Sequence, residues 1–91
     1  MTRTEFEAEL VREGYEIHEG EIKPHVHREA HAHEFDARVL VLDGSLTLVF
    51  GTDRVTYGPG NSCSVPAGTM HAEHTDAVGV RYVYGRRRAA K

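Results

Sequence analysis

The stretch HREAHAHEFDARVLVLDG, His27 to Gly44, sets two histidines one residue apart ahead of an apolar run and a turn. Successive side chains of an extended strand alternate between faces, so His31 and His33 share one side, with Cα atoms ~6.6 Å apart. Both imidazoles can then reach a single metal ion, although alternating histidines also serve simply as the polar face of a strand. His27 lies four residues before His31, ~13 Å back along an extended chain, and cannot reach the same ion unless the chain folds back. His25 follows Pro24 directly and reads as a turn residue, so this outer pair is expected to be solvated. The run ARVLVL at 37–42 reads as a strand, and Asp43-Gly44 ends it as a turn.

The same pattern continues outward from this stretch. Short alternating or β-branched runs at 15–19, 45–50, 54–57, 62–65 and 79–84 join 37–42 as expected strands. Gly51-Thr52-Asp53, Pro59-Gly60, Ala67-Gly68 and Asp76-Ala77 separate them, at the ~8–12 residue spacing of an all-β sandwich or barrel. Ahead of the strands, Thr4 to Glu13 places Phe6 and Leu10 four apart on one helical face with Val11 beside them. Thr4 and Glu7 are spaced as a capping box, and Gly14 ends the helix. The expected fold is all-β, a small antiparallel β-barrel with one N-terminal α-helix packed on its outside. Residues 1–14 are assigned to the helix, 15–85 to the barrel and 86–91 to a basic, solvated, frayed tail.

A chain of 91 residues allows one domain with a modest core. Its 40% apolar and 27% charged residues are those of an ordinary soluble globular protein, not a disordered or fibrous one. No apolar run approaches membrane-spanning length and MTRTEFEAEL lacks an apolar signal core, so a cytoplasmic protein without a membrane anchor is expected. Cys63 stands alone, which excludes an internal disulfide. The net charge of −3 is uneven, because residues 1–36 hold ten acids and four bases while 37–91 hold four and seven. Apart from GRRRAAK there is no basic run, and no helix-turn-helix or zinc-knuckle pattern accompanies it, so nucleic-acid binding is not expected. The edge strands of so small a barrel need cover, which predicts a homodimer.

From Gly60 the chain runs GNSCSVPAGTMHAEHT: glycine, five residues, proline, one residue, glycine, two residues, histidine. Together with His31-Ala32-His33 and Gly44 this resembles the two motifs of the cupin superfamily, the first of which reads HxH, three or four residues, Glu, six residues, Gly. The motif-level match covers residues 29–75, and HAHEFDARVLVLDG looks especially like the short single-domain cupins built on one barrel. The resemblance implies a cupin-like jelly roll and carries over His31 and His33 as first-motif metal ligands and His71 as the second-motif ligand. The family's glutamate does not carry over, since its position is Ala37, and the second motif's usual asparagine is Thr75. Asp36, beside the vacant position, and Glu73, on the side of His71 if that segment is a strand, are the acids that can substitute. Asp36 can equally cap a loop or pair with Arg38, and Glu73 can equally hydrogen-bond to a ligand from outside. His74, of opposite parity to His71, is expected to face away.

Neutral imidazoles on separate strands of a rigid barrel hold a divalent transition metal while leaving coordination positions open. Ligand softness admits Zn, Fe, Ni, Mn or Cu. Three histidines alone leave the site charge at about +2, which favours water, hydroxide or an anionic small-molecule ligand in the open positions. Two functions from different classes follow. One is a metal-dependent enzyme, dioxygenase-like or isomerase-like, acting on a small molecule; the other is a non-catalytic module that binds or senses a small ligand or the metal. Cys63 matches Val65 in direction and reads as a small core residue. Tyr57, Tyr82 and Tyr84 are placed at the pocket mouth, in the core or at an interface.

Overall fold

The computed structural model describes residues 1–89. Helix α1 (Arg3–Arg12) precedes the strands β1 (Glu16–Ile22), β2 (His27–His31), β3 (Phe35–Gly44), β4 (Leu46–Phe50), β5 (Asp53–Tyr57), β6 (Ser62–Val65), β7 (His71–His74) and β8 (Val80–Arg88). They make two antiparallel four-stranded sheets, ordered β1-β8-β3-β6 and β2-β7-β4-β5. Alternating early and late strands in each sheet is the jelly-roll order, so the expected all-β architecture holds, as two stacked sheets whose ladders do not close into one ring.

The first sheet carries apolar side chains on both faces, and the pleat explains how. Ile22, Ala37, Val41, Val65 and Val80 point inward and meet Leu46 and Leu48 of the second sheet. Leu40 and Val83, of opposite parity, point outward and are covered by Phe6 and Leu10 of α1. The helix starts earlier than its sequence pattern suggests. Thr2, not Thr4, is the N-cap: its hydroxyl accepts from the Glu5 N–H at 3.1 Å, and Glu5 accepts from the Thr2 N–H at 3.0 Å. Val11, expected beside Phe6 and Leu10, is exposed. Gly14 follows the helix at φ +80°, as expected of its terminator. Two further glycines permit close approach. A Cβ on Gly44, also at φ +80°, would overlap the Gly79 carbonyl, and one on Gly20 would overlap the Tyr82 ring lying over it.

Two strands carry no apolar signal in the sequence. Strand β2 reads HREAH and β7 reads HAEH, and they pair with each other. At the other end of the chain, Arg86 to Arg88 are the last rungs of β8, opposite Phe35 to Ala37, a paired strand end and not a frayed tail, with the Arg86 and Arg88 side chains exposed. Their long stems account for the difference: the Arg86 guanidinium lies 5.6 Å from the Phe35 ring centre and that of Arg87 4.4 Å from Tyr15. Residues 90 and 91 of the assigned tail lie outside the described residues.

Candidate metal centre

His31 ends β2 directly opposite His71, which opens β7. The β2–β7 register slips between Arg28 and His31, a local irregularity of the kind that re-aims side chains beside functional sites. His33 follows two residues on, and its ring stacks on Phe35 at 4.7 Å. The three imidazoles converge: ring centres lie 4.5 Å apart for His31 and His71, 4.9 Å for His31 and His33, and 5.1 Å for His33 and His71. Glu73, two residues after His71 on the same face of β7, completes the group. One ligand atom from each of the four lies within 4.8 Å of the others.

Two hydrogen bonds orient this cluster. His31 Nδ1 lies 2.8 Å from the Glu29 carbonyl, and His71 Nδ1 lies 2.9 Å from the Thr69 carbonyl. A carbonyl only accepts, so both Nδ1 atoms carry a proton, and the tautomer this selects is the one whose Nε2 offers the lone pair. His71 is 2% exposed. Burial, and then the nearby His71 and His31, push the His33 pKa below its ordinary value, which keeps that ring neutral. The donor set of three imidazoles and one carboxylate thus fits a divalent ion in ligand type, ring orientation and spacing.

Beside the cluster, between the sheets, is a cavity of about 50 Å³ lined by Ala37, Val39, Leu48, His71, Glu73 and Tyr82 among others. Ala37 of β3 and Glu73 of β7 both line it, so the carboxylate missing at Ala37 has a counterpart reaching in from the other sheet. Asp36 is placed elsewhere. Next to Ala37 and of opposite parity, it accepts from the Ala67 N–H at 2.9 Å and pairs with Arg87 at 3.6 Å. Arg38 turns instead to Glu9 and Glu13. Thr75 braces the chain ahead of β2, its hydroxyl donating to the Lys23 carbonyl at 2.6 Å and accepting from the Val26 N–H at 3.0 Å.

The remaining histidines stay out of the group. His27 and His74 face each other on the opposite side of the β2–β7 pair, with Nδ1 atoms 2.7 Å apart. His25 occupies its turn at φ +58°. His18 stacks on Tyr84 with ring centres 5.3 Å apart. Cys63 packs against the inner core, and burial, followed by the charge of Glu73, pushes its thiol up to about 11. The sequence did not single out Arg28. It faces Glu73 across the β2–β7 register, a pairing that only the polar strands themselves reveal.

The family model for the cupin domain matches residues 15–81 of the chain. The chain belongs to the cupin family. Several solved structures share the cupin's fold. A protein from Rhizobium leguminosarum described as of unknown function superposes with a TM-score of 0.76 at 23% identity, covering 81% of this chain and 70% of that one. A cupin-2 domain containing protein from Shewanella frigidimarina does so with a TM-score of 0.71 at 19% identity, covering 81% and 71%. Among enzymes, the polyketide cyclase RemF from Streptomyces resistomycificus gives a TM-score of 0.70 at 26% identity, covering 79% of this cupin but 54% of its own chain. No curated protein matches the cupin by sequence. No helix among the described residues is long and apolar enough to cross a membrane.

Proposed function

We propose that this cupin binds one divalent transition metal ion (Zn, Fe, Ni, Mn or Cu) through His31, His33, His71 and Glu73 and is a metal-dependent enzyme acting on a small molecule. The observation that carries the reading is the pair of Nδ1–H bonds to backbone carbonyls, which hold His31 and His71 in the ligating tautomer before any ion arrives. A bound ion would supply Lewis acidity to an oxygen of a ligand in its open positions. The protein's own part is to fix the imidazoles, to place one carboxylate among them and to offer a small cavity with apolar walls beside them. Its size restricts what enters to a small molecule or one end of a larger one. Fold relatives that include a polyketide cyclase and a DMSP lyase, DddQ from Ruegeria pomeroyi, are consistent with catalysis on this scaffold.

Calorimetric titration with Zn(II), followed by turnover assays of the metal-loaded protein on small acids and thiols under oxygen, tests the proposal. One equivalent bound in wild type, lost in His71→Ala, together with metal-dependent turnover, is the expected result. Ligand binding without any turnover would assign the chain to the alternative, a non-catalytic binding module. We also propose a homodimer. Helix α1 lies over a face of the first sheet, against Leu40 and Val83, and does not pair with the sheet edges.

A further inference from the structure

We infer that Arg28 selects the ligand of this centre, and that the ligand is a small carboxylate carrying a second oxygen donor next to the acid group, as in a 2-oxo or 2-hydroxy acid. The inference rests on the metal reading above. Arg28 and Glu73 are directly opposite on β2 and β7, so both side chains project from the same face as His71. Arg28 Nη1 donates to Glu73 Oε2 at 3.2 Å, while Glu73 Oε1 lies 3.7 Å from His71 Nε2. From the opposite sheet, Tyr82 lines the same cavity as Glu73. A guanidinium has five N–H donors in a planar fork, and the bond to Glu73 takes up one of them. The side chain is 49% exposed, so the fork stands between solvent and the cluster.

Charge and spacing then define what fits. Three neutral imidazoles and one carboxylate leave a bound divalent ion with about one net positive charge, and Arg28 adds another beside it. The combination attracts an anion, and the fork matches a carboxylate bidentately. A single carboxylate, that of Glu73, reaches from the guanidinium to the histidine cluster, so the two recognition points are about one functional group apart. A ligand that gives both oxygens of its carboxylate to the fork then reaches the cluster with a donor on the adjacent carbon. The cavity of about 50 Å³, walled by Ala37, Val39 and Leu48, accepts a short alkyl end and excludes a bulky one.

The test uses the full chain saturated with Co(II), whose visible absorption reports ligands entering its coordination sphere, titrated with pyruvate and with its neutral amide. Wild type should bind pyruvate with a change in the Co(II) spectrum and bind the amide at least about tenfold more weakly, the scale of a hydrogen-bonded charge pair. Arg28→Gln should lose about tenfold in pyruvate affinity at saturating Co(II), and Arg28→Lys should recover part of it. Arg86→Gln removes the same charge from the neighbourhood of Phe35 without touching Glu73 and should change little. Pyruvate affinity unchanged in Arg28→Gln, or lowered equally in Arg86→Gln, overturns the role of Arg28 and leaves the metal centre standing. A wild type that takes up no Co(II) overturns both.

Discussion

At the scale of single residues, one parity difference decides which acid joins the histidine cluster. Asp36 and Ala37 are neighbours on β3, so only one of them can face the cavity, and it is the alanine. Glu73 shares its face with His71 and brings a carboxylate to the cluster from the opposite sheet. His31 and His33 were legible from their spacing and His71 from the resemblance to the second cupin motif, but the choice between Asp36 and Glu73 was not, because it depends on whether 71–74 is a strand. Glu73→Gln keeps the side chain's size and removes its charge, so metal affinity should fall by at least about tenfold in calorimetry. His74→Ala, on the other face, should leave affinity unchanged in the same titration. Cys63 gives a pH-dependent prediction of known sign. With its thiol up at about 11, because burial and then Glu73 disfavour the thiolate, alkylation by iodoacetamide at pH 8 should be far slower than for an exposed thiol. The rate should rise steeply only as the pH approaches that value, provided the fold persists; rapid modification at pH 8 would contradict the burial of that side chain.

At the scale of elements, the strands that build the site were the ones hidden in the sequence. ARVLVL and SLTLVF announce themselves because their inward faces are apolar, whereas HREAH and HAEH spend their inward faces on His31, His71, Glu73 and Arg28. Local strand signals are weakest where function replaces core packing. The arginine run was misleading for a related reason, since a charged stretch reads as a frayed end although its backbone is paired with β3 and the Arg86 and Arg87 guanidinium groups lie over aromatic rings. The helix was legible from Phe6 and Leu10, and its cap was misplaced by two residues because two threonines each precede a glutamate by three. Leu10 is fully buried between α1 and the first sheet, so Leu10→Ala should cost about 2–5 kcal/mol in denaturant unfolding. Removing the cap with Thr2→Ala should cost about 1 kcal/mol. Losses under about 0.5 kcal/mol for Leu10→Ala would mean that the helix is not docked as described.

For the molecule as a whole, the jelly roll lets one small chain bury an apolar core between its sheets and cover a second apolar face with a helix, leaving one end for polar chemistry. Each sheet still ends in unpaired edge strands, β1 and β6 in one, β2 and β5 in the other. Light scattering at micromolar concentration should give twice the 10.2 kDa chain mass, and a value equal to it would overturn the dimer. The metal centre is the claim on which function and ligand choice depend. Its most direct test is an anomalous-difference map at the zinc edge from crystals grown with one equivalent of Zn(II). The account predicts one dominant peak, ~2.0–2.2 Å from Nε2 of His31 and His71, a ring nitrogen of His33 and an oxygen of Glu73. A dominant peak between His27 and His74 on the opposite face, or no peak among the three histidines, would contradict it.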